Sequence, residues 1–323
     1  MKISREQLLT DAANSGFRPE ILEKVALLLR LLEGFQAHPF LKGRLVLKGG
    51  TALNLFEFNI PRLSIDIDLN YIGAIELEKM QVERPDIERA IKAVCEREGL
   101  SVRRLPSDHA GGKWRLTYRG VIVETGILAV DVNFMFRIPL WPPAIRDSYP
   151  VGSLSASGIR VVDIHELAAG KLVALLARHS ARDLFDAHQL LREANLESGY
   201  LRVGFVAYGG MNRRDWREAS LDDVAFEARD IRNQLVPLLR SGSLRGVQDV
   251  EAWAERLVEE TRQALGAVLP LSGPEMEFLD RLNGAGEIAS SLLTSDQDLA
   301  DRIARHPLIK WKAQNVRDHK RGR

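Results

Sequence analysis

Asp66 and Asp68 stand one residue apart in the stretch RLSIDIDLN. On a β-strand, residues i and i+2 share a face. The two carboxylates therefore point together, while Ile65, Ile67 and Leu69 point toward a core. Two like charges that close repel unless a cation lies between them. A divalent ion is the natural occupant, and Mg²⁺ (or Mn²⁺) with phosphate oxygens is the natural chemistry. Upstream, Lys48-Gly49-Gly50-Thr51 follows a short apolar run, and its glycines let a backbone come close to a phosphate. Arg62 and Ser64 lie between the two motifs. Ser64 is two residues before Asp66, so on a regular strand its hydroxyl shares the metal face.

A third carboxylate, Asp131, sits in the apolar run ILAVDVNFMF. A lone Asp on a buried strand is unfavourable unless it is paired or holds a cation. If this strand lies beside that of Asp66 and Asp68, three carboxylates share one metal site. The other reading is an aspartate at a strand edge facing solvent.

A second cluster lies in DIHELAAGKLVALLARHSARDLFDAHQLL. Lys171 falls near the stripe of Leu167, Leu172, Leu175 and Leu176. Its ammonium is either a point charge for a phosphate or the head of a snorkelling side chain. Asp183 and Asp186 are i, i+3 on one helical face, with Arg178, His179 and Arg182 around them. Asp183 also suits a helix cap. His165 and His188 read more simply as structural histidines than as acid–base groups.

The elements that must position these residues follow from periodicity and punctuation. Apolar spacing predicts helices over 4–16, capped by Ser4, and over 19–37. A strand at 45–47 runs into the glycine turn, and Thr51 caps a short helix over 52–58. The aspartates belong to a strand over 63–71. A helix over 85–98 precedes a meander of strands at 101–105, 114–118 and 128–136, with antiparallel pairing. Residues 139–150 are proline-rich and irregular, and 159–162 form a short strand. Asp163 and Glu166 have capping-box spacing. From there the pattern is helical through Leu190, then over 223–239, 248–266, 275–282 and 296–304, with loops at 199–220 and 240–247. The fold class is α+β with a mixed or antiparallel sheet, followed by an α-helical lobe. The corresponding domains are 1–158 and 159–323.

The chain has 323 residues, enough for two cores, and a net charge of +1. Overall charge therefore does not draw it to a polyanion, and any basic surface is local. A single cysteine, Cys95, excludes an internal disulfide framework and fits a reducing cytoplasm. Its helical setting argues against a nucleophile. Neither a membrane-spanning apolar run nor a signal-peptide h-region is present. The expected location is cytoplasmic, with no membrane partner.

With these residues in view, GGTALNLF…RLSIDIDL resembles the opening of polymerase-β-like nucleotidyltransferases. More narrowly, KGGTAL…RLSIDID, HELAAGKLVALLAR, ARDLFD and the closing HPLIKWKAQNV are similar to the AbiEii/AbiGii toxin family of type IV toxin–antitoxin and abortive-infection pairs. The resemblance spans about residues 20–316. It implies that Asp66 and Asp68 bind metal, with Asp131 at the third carboxylate position. It gives Lys171, with Arg182, to nucleotide phosphates and Asp183 to the acidic site of an RDLYD-like segment. The candidate catalytic residues are thus Asp66, Asp68, Lys171 and Asp183. The candidate nucleotide-binding residues are Lys48, Gly49, Gly50, Thr51, Arg62, Ser64, Lys171 and Arg182. The implied ligands are an NTP and Mg²⁺ or Mn²⁺, and the implied acceptor is RNA, foremost the 3′ end of tRNA, whose modification blocks translation. A cognate antitoxin encoded upstream is the implied partner. The alternatives are transfer to a small molecule or a protein, and an NTP-binding module acting through the antitoxin.

For an RNA acceptor, Lys310, Lys312, Arg317, Lys320, Arg321 and Arg323 surround Trp311 in the tail. Basic groups neutralise phosphates and an indole stacks a base. A solvated terminus over 317–323 is the simpler reading there. Lys113, Arg115 and Arg119 on the meander, and Arg213, Arg214 and Arg217 in the loop, are further candidates.

Overall fold

A computed structural model describes residues 3–105 and 111–321. Arg323 of the basic tail lies outside the described residues. Two compact units emerge. The first comprises 1–137, 143–162 and 236–246; the second comprises 138–142, 163–235 and 247–323.

The first unit is built on one seven-stranded mixed sheet. Its strands are β1 (Leu45–Lys48), β2 (Asp66–Tyr71), β3 (Ser101–Leu105), β4 (Gly111–Tyr118), β5 (Gly126–Asn133), β6 (Ala144–Arg146) and β7 (Ile159–Val161). Their order across the sheet is β3-β4-β5-β2-β1-β7-β6. The β3–β4–β5 meander is antiparallel, as its turn signals predict. β5 then runs parallel to β2, β2 antiparallel to β1, β1 parallel to β7, and β7 antiparallel to β6. The helices of this unit are α1 (Arg5–Ser15), α2 (Pro19–Ala37), α3 (Gly49–Ala52, continued by a π-turn over Leu53–Glu57) and α4 (Leu77–Arg97). Ser4 caps α1, its hydroxyl accepting from the Gln7 amide. α2 packs on β5 and β7, and α4 on β3. The alternating burial of β4 and β5 sends Trp114, Leu116, Tyr118, Leu128, Val130 and Val132 into the core.

The second unit is helical: α5 (Ile164–Arg178), α6 (Ala181–Glu193), α7 (Ser198–Gly210), a single turn α8 (Ala228–Asp230), α9 (Val250–Ala264), α10 (Gly273–Ala285), α11 (Gln297–Arg305) and α12 (Pro307–Arg321). α5 packs on α7 and α6, α6 on α9, and α10 on α12. Leu172, Leu176, Leu184, Phe205, Trp216 and Phe278 are fully buried among them.

Several boundaries differ from the sequence expectation, for identifiable reasons. α4 starts eight residues before Pro85 and carries that proline inside it. An interior proline is unfavourable by about 3 kcal/mol; here Met80, Ile87, Ile91 and Val94 bury the same face and outweigh it. The glycine-rich segment expected as a loop is α7. Its glycines admit neighbours, since a Cβ on Gly209 would lie 2.0 Å from Trp216. The helix expected over 223–239 is instead a series of short turns broken near Pro237. Residues 307–321 form α12, with the Arg317 guanidinium donating to the Gly286 carbonyl at 2.6 Å and residues 318–321 exposed to solvent. No helix is long and apolar enough to cross a membrane among the described residues.

Candidate active site

β2 alternates as its sequence predicts. Ile67 and Leu69 are buried, while Asp66 and Asp68 are half-buried on the opposite face. The strand begins only at Asp66. Before it, the backbone of Arg62 bridges Leu239 and the Leu63 amide donates to the Leu238 carbonyl at 2.9 Å. Ser64 therefore precedes the strand, and strand alternation does not fix its side. Arg62 and Ser64 are only 2% and 7% exposed. The Arg62 guanidinium donates to the Leu63 carbonyl at 2.9 Å.

The third carboxylate is brought in by pairing. In the parallel β2–β5 ladder, Asp131 lies directly beside Asp68, and Ala129 beside Asp66. On the outer sides, Lys48 of β1 pairs with Asp68 and Lys113 of β4 with Asp131. One cross-strand row thus reads Lys48, Asp68, Asp131, Lys113. Burial pushes the Asp131 carboxyl above its ordinary range and the neighbouring Asp68 pushes it further; Lys48 and Lys113 pull it back. A doubly negative centre flanked by cations is an arrangement that a divalent ion relieves. The donors are carboxylate oxygens, the hard ligands that Mg²⁺ and Mn²⁺ prefer.

Among the described residues, no three His, Cys, Asp or Glu side chains close around a common metal position. Mg²⁺ needs no such cage. It is commonly held by one or two carboxylates, with water and substrate phosphates completing its shell. Asp68 and Asp131 stand side by side as such a pair would, and Asp66 lies one step along the same face.

The glycine turn frames this centre from the side. α3 begins at Gly49, earlier than a Thr51 cap would place it, and Lys48 occupies the cap position. Gly49 has φ +72°, and a Cβ there would meet the Asp68 carboxylate at 2.5 Å. Only glycine leaves that carboxylate its position. Thr51 is buried inside the turn, and its hydroxyl donates to the Asp66 carbonyl at 2.5 Å. The Gly50 carbonyl accepts from Asn54 at 3.0 Å. Gly50 and Thr51 thus hold the frame, while Gly49 touches the site. The Lys48 ammonium lies 5.8 Å from the centre of the Phe136 ring, a contact that sequence spacing could not reveal.

In the second unit, Lys171 extends from α5 to two carboxylates of α6. Its Nζ lies 3.1 Å from Asp183 and 2.7 Å from Asp186. Arg178 reaches the second oxygen of Asp183 at 3.1 Å. The Lys171 side chain is 12% exposed and that of Asp186 fully buried. Asp183 does not cap α6: Ser180 holds the cap position and Asp183 lies in the first turn. Arg182 beside it is half-buried.

The remaining candidates resolve structurally. Asp163 caps α5, accepting from the His165 amide, but Glu166 does not return the capping box. Its buried carboxyl accepts from Tyr208 Oη at 2.7 Å and the Leu140 amide at 2.9 Å. Burial pushes this carboxyl up to about 7. His165 is held between Asp163 and the Glu197 amide, and His188 pairs with Glu260 at 2.7 Å. Burial pushes the Cys95 thiol up to about 12, which fits an inert side chain. Of the loop cations, Arg214 is engaged by Asp223 and Arg217 by Asp215 and Asp280. In the tail, Lys312 donates to the Asn212 carbonyl at 2.8 Å, and Trp311 is half exposed.

The family described as nucleotidyl transferase AbiEii toxin, type IV TA system, matches residues 30–263. A solved structure with a similar fold is that of MenT4, a nucleotidyltransferase toxin from Mycobacterium tuberculosis H37Rv. It superposes with a TM-score of 0.56 at 16% identity, covering 94% of this chain and 99% of that one. No curated protein sequence matches the chain.

Proposed function

This chain belongs to the AbiEii nucleotidyltransferase toxin family of type IV toxin–antitoxin systems, and from that premise we propose that it transfers a nucleoside monophosphate from an NTP to an RNA acceptor, the 3′ end of tRNA, and so blocks translation. The observation that carries the reading is the side-by-side placement of Asp68 and Asp131, with Asp66 on the same face. These residues would hold Mg²⁺ or Mn²⁺, which when bound neutralises phosphate charge and activates the attacking hydroxyl. The residues themselves set the position of that charge. Gly49 keeps the Asp68 carboxylate clear, Thr51 anchors the start of β2, and Lys48 and Lys113 balance the two central carboxylates. Catalysis on this reading is positioning and charge neutralisation.

Lys171, with Arg182 and Asp183, is assigned to the nucleotide. The support is an ammonium fixed by two carboxylates, a cation whose place is set before any ligand arrives. Arg62 and Ser64 are assigned as supports of the strand entrance that contribute to nucleotide binding. Membership of a type IV system implies an antitoxin partner, and we place its gene directly upstream.

The decisive experiment is incubation with each α-³²P NTP and total tRNA, in Mg²⁺ or Mn²⁺. Label should enter tRNA with the wild-type chain and not with Asp68→Ala. Label entering a protein or a small molecule instead would overturn the RNA acceptor; equal labelling by Asp68→Ala would overturn the site.

A further inference from the structure

The face that carries the carboxylates continues beyond them toward the β3 edge. Next to the row of Lys48, Asp68, Asp131 and Lys113 runs a second one, in which Asp66, Ala129, Arg115 and Arg103 are successive partners on β2, β5, β4 and β3. Lys113, Arg115 and Arg103 are exposed. Among the described residues, none of the three makes a hydrogen bond or close ion pair; Lys113 is only attracted to Asp131 at longer range. Two other arginines of this unit are neutralised. Arg104, one residue on and on the opposite face of β3, is held by Glu88 at 3.0 Å, and Arg44 by Glu83 at 3.0 Å.

The spacing is that of a path. Neighbouring strands lie about 4.8 Å apart, and i, i+2 residues on one strand lie about 6.8 Å apart. The three cations therefore span roughly 10 Å from the Asp131 strand to the sheet edge, at separations that suit successive phosphates of one strand. Ala129 leaves the floor between Asp66 and Arg115 low. Ile127, half exposed at the next position along the same face of β5, adds an apolar contact. A ligand matching unpaired cations, regular spacing and an apolar flank is a nucleic-acid strand, with its charged backbone and its sugars and bases.

We propose that Lys113, Arg115 and Arg103 form a phosphate track that guides the acceptor RNA across β4 and β3 to the carboxylates of β2 and β5. The track rests on the reading that RNA is the acceptor. Arg103 is the new element, because only the β3–β4 register places it in line with Arg115.

The test is binding of labelled total tRNA over a KCl series without NTP, comparing the full chain with Arg103→Glu/Arg115→Glu and with the milder Arg103→Gln/Arg115→Gln. Lys42→Glu/Arg245→Glu, two exposed cations outside the strands of the sheet, is the charge-matched control. Nucleotide binding in Mg²⁺ and the melting curve check that each variant is folded. The track variants should lose at least tenfold in affinity at low salt, the Glu pair more than the Gln pair. Their log–log salt slope should fall by about 1.5, for two phosphate contacts removed. Nucleotide binding and the control should stay within about twofold. Unchanged affinity and slope in both track variants would overturn the track while leaving the RNA reading intact, as would an equal loss in the control. Failure of the wild-type chain to bind or label any RNA would overturn the acceptor reading and the track with it.

Discussion

Asp131 stands directly beside Asp68 in the parallel β5–β2 ladder, although the two are separated by the whole of α4 and the β3–β4 hairpin in sequence. Lys48 and Lys113 close the row on either side. The fold thus places two carboxylates together in a half-buried setting and compensates them from the flanks. Such an arrangement opposes stability in the absence of a cation and favours binding one. Its parts respond differently to substitution.

Replacing Asp131 by Asn should separate function from stability. Nucleotide transfer should fall by about a hundredfold or more, the scale seen when one transition-state-stabilising group is lost. The metal-free protein should melt no lower than wild type, because a repulsive pair has gone. Asp68→Asn should behave alike. Transfer assays and thermal melts with and without Mg²⁺ check both, and a melting point lowered by several degrees would contradict the repulsion argument.

Gly49→Ala puts a methyl where the Asp68 carboxylate lies, at a residue with φ +72°. The left-handed backbone alone opposes a side chain by about 1–2 kcal/mol. Activity should fall more than stability, since the displaced group is Asp68. Gly43→Ala has a similar φ of +79° and open space around it. It should show the backbone effect without the activity loss, and comparing the two variants isolates the contact.

Lys171→Met leaves Asp183 and Asp186 without their shared ammonium. Breaking one side of a buried ion cluster typically destabilises by about 3–5 kcal/mol, although Arg178 still serves Asp183. Lys171→Met/Asp186→Leu should recover part of that loss. Urea denaturation measures both. If nucleotide binding stays lost in the stability-recovered double variant, the ammonium itself serves the nucleotide; if binding returns, its role is structural.

Glu166 makes stability depend on pH in a defined direction. Its carboxyl is raised from 4.5 to about 7 by burial, so the folded chain holds a proton that the unfolded chain has released. Stability from this group is therefore full below about pH 4.5 and lost as pH rises to about 7. The full difference is about 3 kcal/mol on the scale of 1.36 kcal/mol per pH unit. Glu166→Gln keeps a neutral side chain and lacks this slope. Denaturation at pH 5 and pH 8 should show wild type losing stability relative to the variant; a constant difference would count against a protonated Glu166.

Much of the site was legible in residue types and spacing. The i, i+2 rule placed Asp66 and Asp68 on one face against Ile67 and Leu69, and the burial of β2 follows it. The turn signals gave the antiparallel meander, and apolar spacing gave α1, α2, α5 and α6. Local patterns were insufficient where packing outweighed propensity. Met80 and Ile87 carried α4 through Pro85, and the close approach of Trp216 to Gly209 made a helix of a glycine-rich segment. Glu166 had the spacing of a cap, yet its carboxyl turned to Tyr208, a partner 42 residues away.

The sequence by itself determined which residues had chemistry to offer: paired acids on one strand face, a lone acid on another strand, a glycine turn, and a lysine near two aspartates on helices. Periodicity decides a residue's face because it is set by the backbone alone. Only the tertiary structure decided which strand lies beside which, and in what register. Strand order depends on the burial of whole faces under α2 and α4, a collective quantity that no local spacing encodes. That register is what sets Asp131 against Asp68, Lys113 against Asp131, and Arg103 against Arg115.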